Sequence, residues 1–253
     1  MTLVDTHIHL TDEKYKAIPI PNELDCIISL GTDLKDSVLA MELAETNPRI
    51  FFGAGVHPHE ADKYTKSQLN DFCRLYDHNK CAVVGEIGLD YHYLYSSKEK
   101  QLEVFLVFLG LAQQHQLPVS VHSRKAEREV FNILSDYPGL NVVCHSYTGD
   151  IETLEDLIAL GCFFSINGMI TFKNNTNIVE IVKKIPTNKL LFETDGPYLA
   201  PIPYRGQLNR PEYVKIIAEK TAEILNTSLE EISKITTENA HEVFFCDLQG
   251  NML

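Results

Sequence analysis

Short apolar runs of strand length alternate with longer stretches of helical periodicity along the whole chain. The apolar runs lie at residues 3–9, 26–31, 51–56, 82–89, 118–122, 141–145, 162–166 and 190–194. Such runs are the pattern of strands covered on both sides, as in a parallel sheet. Helical patterns occupy residues 34–45, 67–77, 98–115, 124–136, 151–160 and 178–185, and two more, 211–225 and 229–245, follow the last strand. Repeated strand–helix units predict an α/β fold. Eight of them in 253 residues predict a closed (β/α)8 TIM barrel, with an open doubly wound sheet as the alternative. No repeat, low-complexity run or Gly/Ser-rich linker divides the sequence, so residues 1–253 are read as a single domain. Helix starts are marked by Thr65 or Ser67, by Ser96 or Ser97, and by Thr227 or Ser228, where Glu231 completes a capping-box pattern.

Polar residues placed on this map gather at one end of the strands. His7 and His9, one residue apart, share a face of the first strand because side chains alternate. Glu86 falls late in the fourth strand, His122 ends the fifth, His145 ends the sixth and Asp195 follows the eighth. All are at C-terminal strand ends, the face on which barrel active sites are built. Four imidazoles and two carboxylates suit Zn²⁺, Mn²⁺ or Mg²⁺, and six such groups can hold two ions with a bridging carboxylate. Paired ions clamp the attacking and leaving oxygens of a displacement at phosphorus. Glu86 lies in the apolar run Ala82-Val83-Val84-Gly85-Glu86-Ile87, where a carboxylate is costly to bury without a cation, so a ligand role outweighs a structural ion pair. Asp195 precedes Gly196-Pro197 and has a turn role as its competitor. His57 and His59 flank Pro58 just past the third strand and are read as pocket residues. Cys144 alternates with His145 and faces outward, and Glu193 is read as orienting a neighbour. Arg124, Lys173, Arg205 and Arg210 fall at the same end and are candidates for phosphate contacts. Tyr91, His92, Tyr93 and Tyr198 are candidates for stacking on a base, with rim packing as the alternative.

Composition narrows the classes. A net charge of −13 argues against gripping nucleic acid over a broad basic face, although a pocket of divalent ions carries its own positive charge. No apolar run is long enough to span a membrane, and the first residues lead straight into strand-like sequence without a basic, then apolar leader, so a cytoplasmic protein is expected. The six cysteines are scattered without a Cys-x-x-Cys pair, which fits reduced thiols better than disulfides or a thiolate zinc site. Serine-nucleophile, phosphate-loop and dinucleotide signatures are absent from the sequence. No obligatory protein partner is evident.

The ordered motifs resemble the TatD family of metal-dependent hydrolases, within the amidohydrolase-like superfamily. They run from Asp5-Thr6-His7-Ile8-His9-Leu10 through Gly55-Val56-His57-Pro58-His59, Gly85-Glu86-Ile87-Gly88-Leu89-Asp90-Tyr91 and Val121-His122-Ser123-Arg124. His145-Ser146-Tyr147-Thr148-Gly149, Glu193-Thr194-Asp195-Gly196-Pro197-Tyr198-Leu199, Arg205-Gly206 and Asn239-Ala240 follow. Ser146-Tyr147 departs from the Cys-Phe often found there and leaves the histidine in place. The resemblance implies a first metal on His7, His9, Glu86 and Asp195 and a second on Glu86, His122 and His145. Glu86 would bridge them, and Asp195 would orient or deprotonate the attacking water. It also implies a deoxyribonuclease with two divalent ions per subunit. A pocket at a narrow barrel mouth with few basic residues outside it fits exonuclease action on single-stranded ends. Substrate contacts are expected from His57, Tyr91, His92, Arg124, Tyr198 and Arg205. The alternatives are a metal-dependent esterase or amidase, such as a D-aminoacyl-tRNA deacylase, and a non-catalytic binding protein on the same fold.

Overall fold

Parallel neighbours cannot be joined by a tight turn, so each strand hands over to a crossing segment that covers it from outside. The computed structural model describes residues 2–16, 21 and 23–245. Eight parallel strands pair in chain order: β1 (Val4–Ile8), β2 (Cys26–Leu30), β3 (Ile50–Ala54), β4 (Cys81–Asp90), β5 (Val119–Arg124), β6 (Val142–Cys144), β7 (Phe163–Ile166) and β8 (Leu190–Phe192). Around them lie α1 (Leu34–Thr46), α2 (Leu69–Tyr76), α3 (Lys98–His115), α4 (Glu127–Leu134), α5 (Ile151–Ala159), α6 (Thr176–Lys184), α7 (Val214–Leu225) and α8 (Leu229–Phe245). This is a nearly closed (β/α)8 barrel, as the alternation of patterns predicts. No described helix is long and apolar enough to cross a membrane.

Two buried layers hold the barrel. Ile27, Phe52, Val121, Phe164 and Phe192 of the strands share one apolar cluster with Phe72 of α2 and Phe105 and Phe108 of α3. Cys144 belongs to this cluster, as its alternation with His145 requires. Inside, Ile28, Leu30, Val143, Phe163 and Leu191 meet Ala240, Val243 and Phe244 of α8. Along β6, β7 and β8 the apolar residue of this inner layer lies two positions before His145, Ser165 and Glu193, so a dry floor underlies the polar mouth.

The seam between β8 and β1 lacks a full ladder and has one isolated bridge, Ile8 to Gly196. The Asp195 amide donates to the His7 carbonyl at 2.9 Å and the His9 amide to that of Gly196 at 2.8 Å. Beneath them the buried Asp5 carboxylate accepts from the Thr194 amide at 2.8 Å and the Thr194 hydroxyl at 2.6 Å. Burial pushes the Asp5 carboxyl up to about 8, against the pull of the Thr194 hydrogen bonds.

Element ends differ from expectation for local reasons. Arg124 still pairs with Asp90 in the β4–β5 ladder and Lys125 is left-handed at φ 58°, so α4 starts at Glu127 rather than at residue 124. Left-handed Ser146 and Asp195 turn the chain out of β6 and β8, which end early. A 3₁₀ turn, Lys66–Gln68, precedes α2, with the Thr65 amide donating to Gln68 Oε1. Ser228 accepts from the Glu231 amide at 3.1 Å, whereas the Ser97 hydroxyl turns away from α3 to Asp62.

Close approach of β4 and β5 requires glycine at 88. Its φ is +143°, and a Cβ there would lie 1.9 Å from the His122 carbonyl oxygen. Gly88→Ala is therefore expected to cost on the order of 3 kcal/mol or more. Urea unfolding measures this, and a loss below about 1 kcal/mol contradicts the account.

Candidate metal centre

Alternation on β1 aims His7 and His9 at the C-terminal mouth, and Glu86 rises between them from β4, 2% exposed. Its Oε2 lies 3.3 Å from His7 Nε2 and 3.5 Å from His9 Nε2, and these two nitrogens are 3.4 Å apart. Asp195 Oδ1 is 3.9 Å from His9 Nε2 and 4.0 Å from His145 Nε2. Donors held ~2.0–2.1 Å from a tetrahedral Zn²⁺ are separated by about 3.4 Å, so the spacing fits a shared cation. The other carboxylate oxygen, Oε1, faces a second group: His122 Nδ1 at 3.0 Å, His57 Nε2 at 3.5 Å and His145 Nε2 at 3.7 Å.

Hydrogen bonds on the far side of the rings decide which nitrogens are bare. His9 Nδ1 lies 3.0 Å from the Leu30 carbonyl, which can only accept, so Nε2 is left with its lone pair toward Glu86. His145 Nδ1 donates to Glu193 at 2.9 Å, and His122 Nε2 donates to Asp90 at 3.2 Å. Each presents its opposite nitrogen inward, the arrangement by which outer partners orient metal-binding histidines. His57 is different. Its Nδ1 accepts the His59 amide at 3.1 Å, so its Nε2 is a donor aimed at Glu86 rather than a lone pair. Glu193 takes the orienting position, with Ser165 Oγ and Asn167 Nδ2 as further donors to it.

Lone pairs aimed at a buried carboxylate need positive charge between them. Without a metal, protons supply it. Burial opposes protonation of His145, but the carboxylates of Glu193, Glu86 and Asp195 overcome it and raise the ring to about 10. His7, stacked on His145 with centroids 3.7 Å apart, is pushed down to about 4 by burial and by the charge on His145. His122 is raised against burial by Asp90 and Glu86. Burial disfavours an ionised Glu86, yet the surrounding imidazoles hold it well below the usual range. The donor set thus fits a divalent cation.

The softer candidates spread along the rim. Tyr91 lies beneath the Lys98 ammonium at 4.0 Å, and the His92 amide donates to Asp90 at 2.9 Å. The Arg124 guanidinium stacks over Tyr93 at 4.7 Å. Tyr198 is exposed, with Lys14 over its ring at 5.3 Å. Arg205 stacks on Phe172 at 4.3 Å, and Arg210 pairs with Glu212 at 3.6 Å. Sequence reasoning gave no role to Asp90, which is buried and accepts from His59 at 2.8 Å, from His122, and from the amides of His92 and Tyr93. Its signal was a second carboxylate at the same strand end, four residues after Glu86.

A ring of inward histidines and carboxylates at the C-terminal mouth of a parallel barrel defines a metal-dependent hydrolase. The model of the family described as TatD related DNase matches residues 4–245. The chain is 38% identical over 251 residues to YabD of Bacillus subtilis (strain 168), covering 96% of this chain and 98% of that protein. It is 31% identical over 260 residues to YcfH of Escherichia coli (strain K12), covering 98% and 97%. Both are named uncharacterized metal-dependent hydrolases. The crystal structure of YjjV, a TatD homolog from Escherichia coli K12, superposes with a TM-score of 0.88 at 25% identity, covering 96% of this chain and 97% of that one. The chain belongs to the TatD family.

Asp195 yields a pH test. Burial pushes its carboxyl from 3.8 up to about 6, so the fold favours the protonated form. That contribution is complete below the ordinary value and is lost as pH rises through about 6, at most about 3 kcal/mol in all. Asp195→Asn keeps that position neutral, so its stability advantage in chelated protein should grow between about pH 4 and about pH 6 and level off above that. Denaturant unfolding of both proteins measures this, and an advantage independent of pH contradicts it.

Proposed function

We propose that this hydrolase is a deoxyribonuclease that trims single-stranded DNA from its ends in the cytoplasm. The two-sided environment of Glu86 carries the reading, because one carboxylate facing two donor groups suits a pair of ions. His7, His9, Glu86 and Asp195 would hold one, and Glu86, His122 and His145 the other, as Zn²⁺, Mg²⁺ or Mn²⁺. Bound there, the ions supply Lewis acidity toward phosphate oxygens and acidify water near neutral pH.

The chain's own groups do the rest. The Asp195 carboxylate sits beside His9 and His145 at the mouth, where it would take the proton of the attacking water. The Nε2–H of His57 points into the same space and donates to a phosphate oxygen as charge develops there. Arg124, Tyr91, His92, Tyr198 and Arg205 would supply the remaining substrate contacts. Among the five described cysteines all are free, in keeping with a reducing compartment.

The test uses end-labelled single strands and closed circular DNA with Mg²⁺ or Mn²⁺, alongside an aminoacyl ester. Release of terminal nucleotides with circles intact is expected. Rapid cutting of circles rules out end-dependent action, and turnover of the ester alone moves the enzyme to acyl chemistry. Glu86→Ala and Asp195→Ala should each lower turnover by at least about 100-fold and reduce the metal retained on purification.

A further inference from the structure

β4 outruns the strand on one side of it. β3 ends at Ala54, paired with Val84, whereas β4 continues to Asp90. On its other edge β4 is still held by β5, where the Tyr91 amide donates to the Arg124 carbonyl at 2.9 Å. Successive peptides of a strand face opposite edges. The amide and carbonyl of Asp90 therefore point toward the edge that β3 has left, where a buried main-chain group without a partner is costly.

Gln101, near the start of α3, fills that gap. Its Oε1 accepts the Asp90 amide at 2.8 Å, and its Nε2 donates to the Asp90 carbonyl at 3.0 Å and to the Ser96 carbonyl at 3.0 Å. One side-chain amide stands in for the missing strand. Gln101 is 1% exposed, and the other buried residues of α3 are all apolar. Its two ends are not interchangeable, because turning the amide over would set oxygen against two carbonyls.

The peptide it holds belongs to the residue that aims two histidines. Asp90 Oδ1 accepts the amides of His92 and Tyr93, and Oδ2 accepts from His59 at 2.8 Å and from His122 at 3.2 Å. With Nε2 engaged in this way, His122 presents Nδ1 to Glu86 at 3.0 Å. Ser96, the third partner, donates its hydroxyl to the His59 carbonyl at 3.0 Å. The contacts that hold His59 by ring and by main chain both lead back to Gln101.

We infer that Gln101 is a positioning residue for the metal centre: it fixes the backbone of Asp90 and, through that carboxylate, the direction of the His122 ring. This rests on His122 being a metal ligand. The outer partner of a metal-binding histidine is worth ~10–100-fold in affinity. Gln101 acts one contact further out, so its loss should weaken binding about tenfold.

The experiment titrates Co²⁺, followed by its visible absorption, into chelator-stripped wild type, Gln101→Met, Asp90→Asn and the double variant, with urea unfolding of each. Methionine keeps the bulk of the side chain and removes all three hydrogen bonds. Asparagine keeps Oδ1 for the turn amides and puts a donor where both rings need an acceptor. The binding step that His122→Ala abolishes should weaken about tenfold in Gln101→Met, and Gln101→Met should add little to it in the Asp90→Asn background. If Gln101→Met does not fold, Gln101→Glu, which retains an acceptor for the Asp90 amide, replaces it with the same readouts. Unchanged affinity with reduced stability makes Gln101 a structural residue only and overturns the inference, as does a loss that adds in full to that of Asp90→Asn. If His122→Ala leaves Co²⁺ binding untouched, the ligand role of His122 itself falls.

Discussion

A carboxylate buried in an apolar barrel has to be surrounded by positive charge or by groups that carry it, and Glu86 imposes that condition on everything around it. Five imidazoles answer it, from β1, from the segment after β3, from β5 and from the end of β6. Those rings need fixed orientations, which the Leu30 carbonyl, Asp90 and Glu193 impose from outside. Asp90 in turn gathers the amides of His92 and Tyr93, so the rim is shaped by the same demand. From the barrel axis to its mouth, each polar layer exists to position the one within it.

The barrel was legible because its signal is local and repeated. Apolar strand runs bounded by polar turns placed all eight strands within a residue or two, and the pattern over residues 98–115 coincides with α3. The histidines on strands were legible for a related reason, since alternation tells which face a strand residue occupies. His57 lies beyond β3 at the head of a 3₁₀ turn, where alternation no longer applies, and only coordinates show its ring reaching back to Glu86. Asp90 was hidden differently: hydrogen bonding to two rings is a property of neighbours from β5 and the turn after β3, which no window of sequence contains. The late start of α4 likewise follows from pairing of Arg124 with Asp90, a tertiary fact that overrides helical periodicity.

Charge is organised at two scales. Over the whole chain it is strongly negative, which keeps polyanions away from most of the surface. At the mouth, carboxylates orient histidine rings and cap α5, while Lys98 and Arg124 lie across tyrosines.

The clasp of Asp5 on Thr194 joins positions 189 residues apart. His7 and His9 are made early, yet the carboxylate of Asp195 reaches them only once β8 has docked and that clasp has formed. A nascent chain on the ribosome therefore exposes its first two imidazoles well before their full complement exists. Completion of the donor set becomes a late event of biosynthesis, and the unfinished polypeptide lacks the whole site.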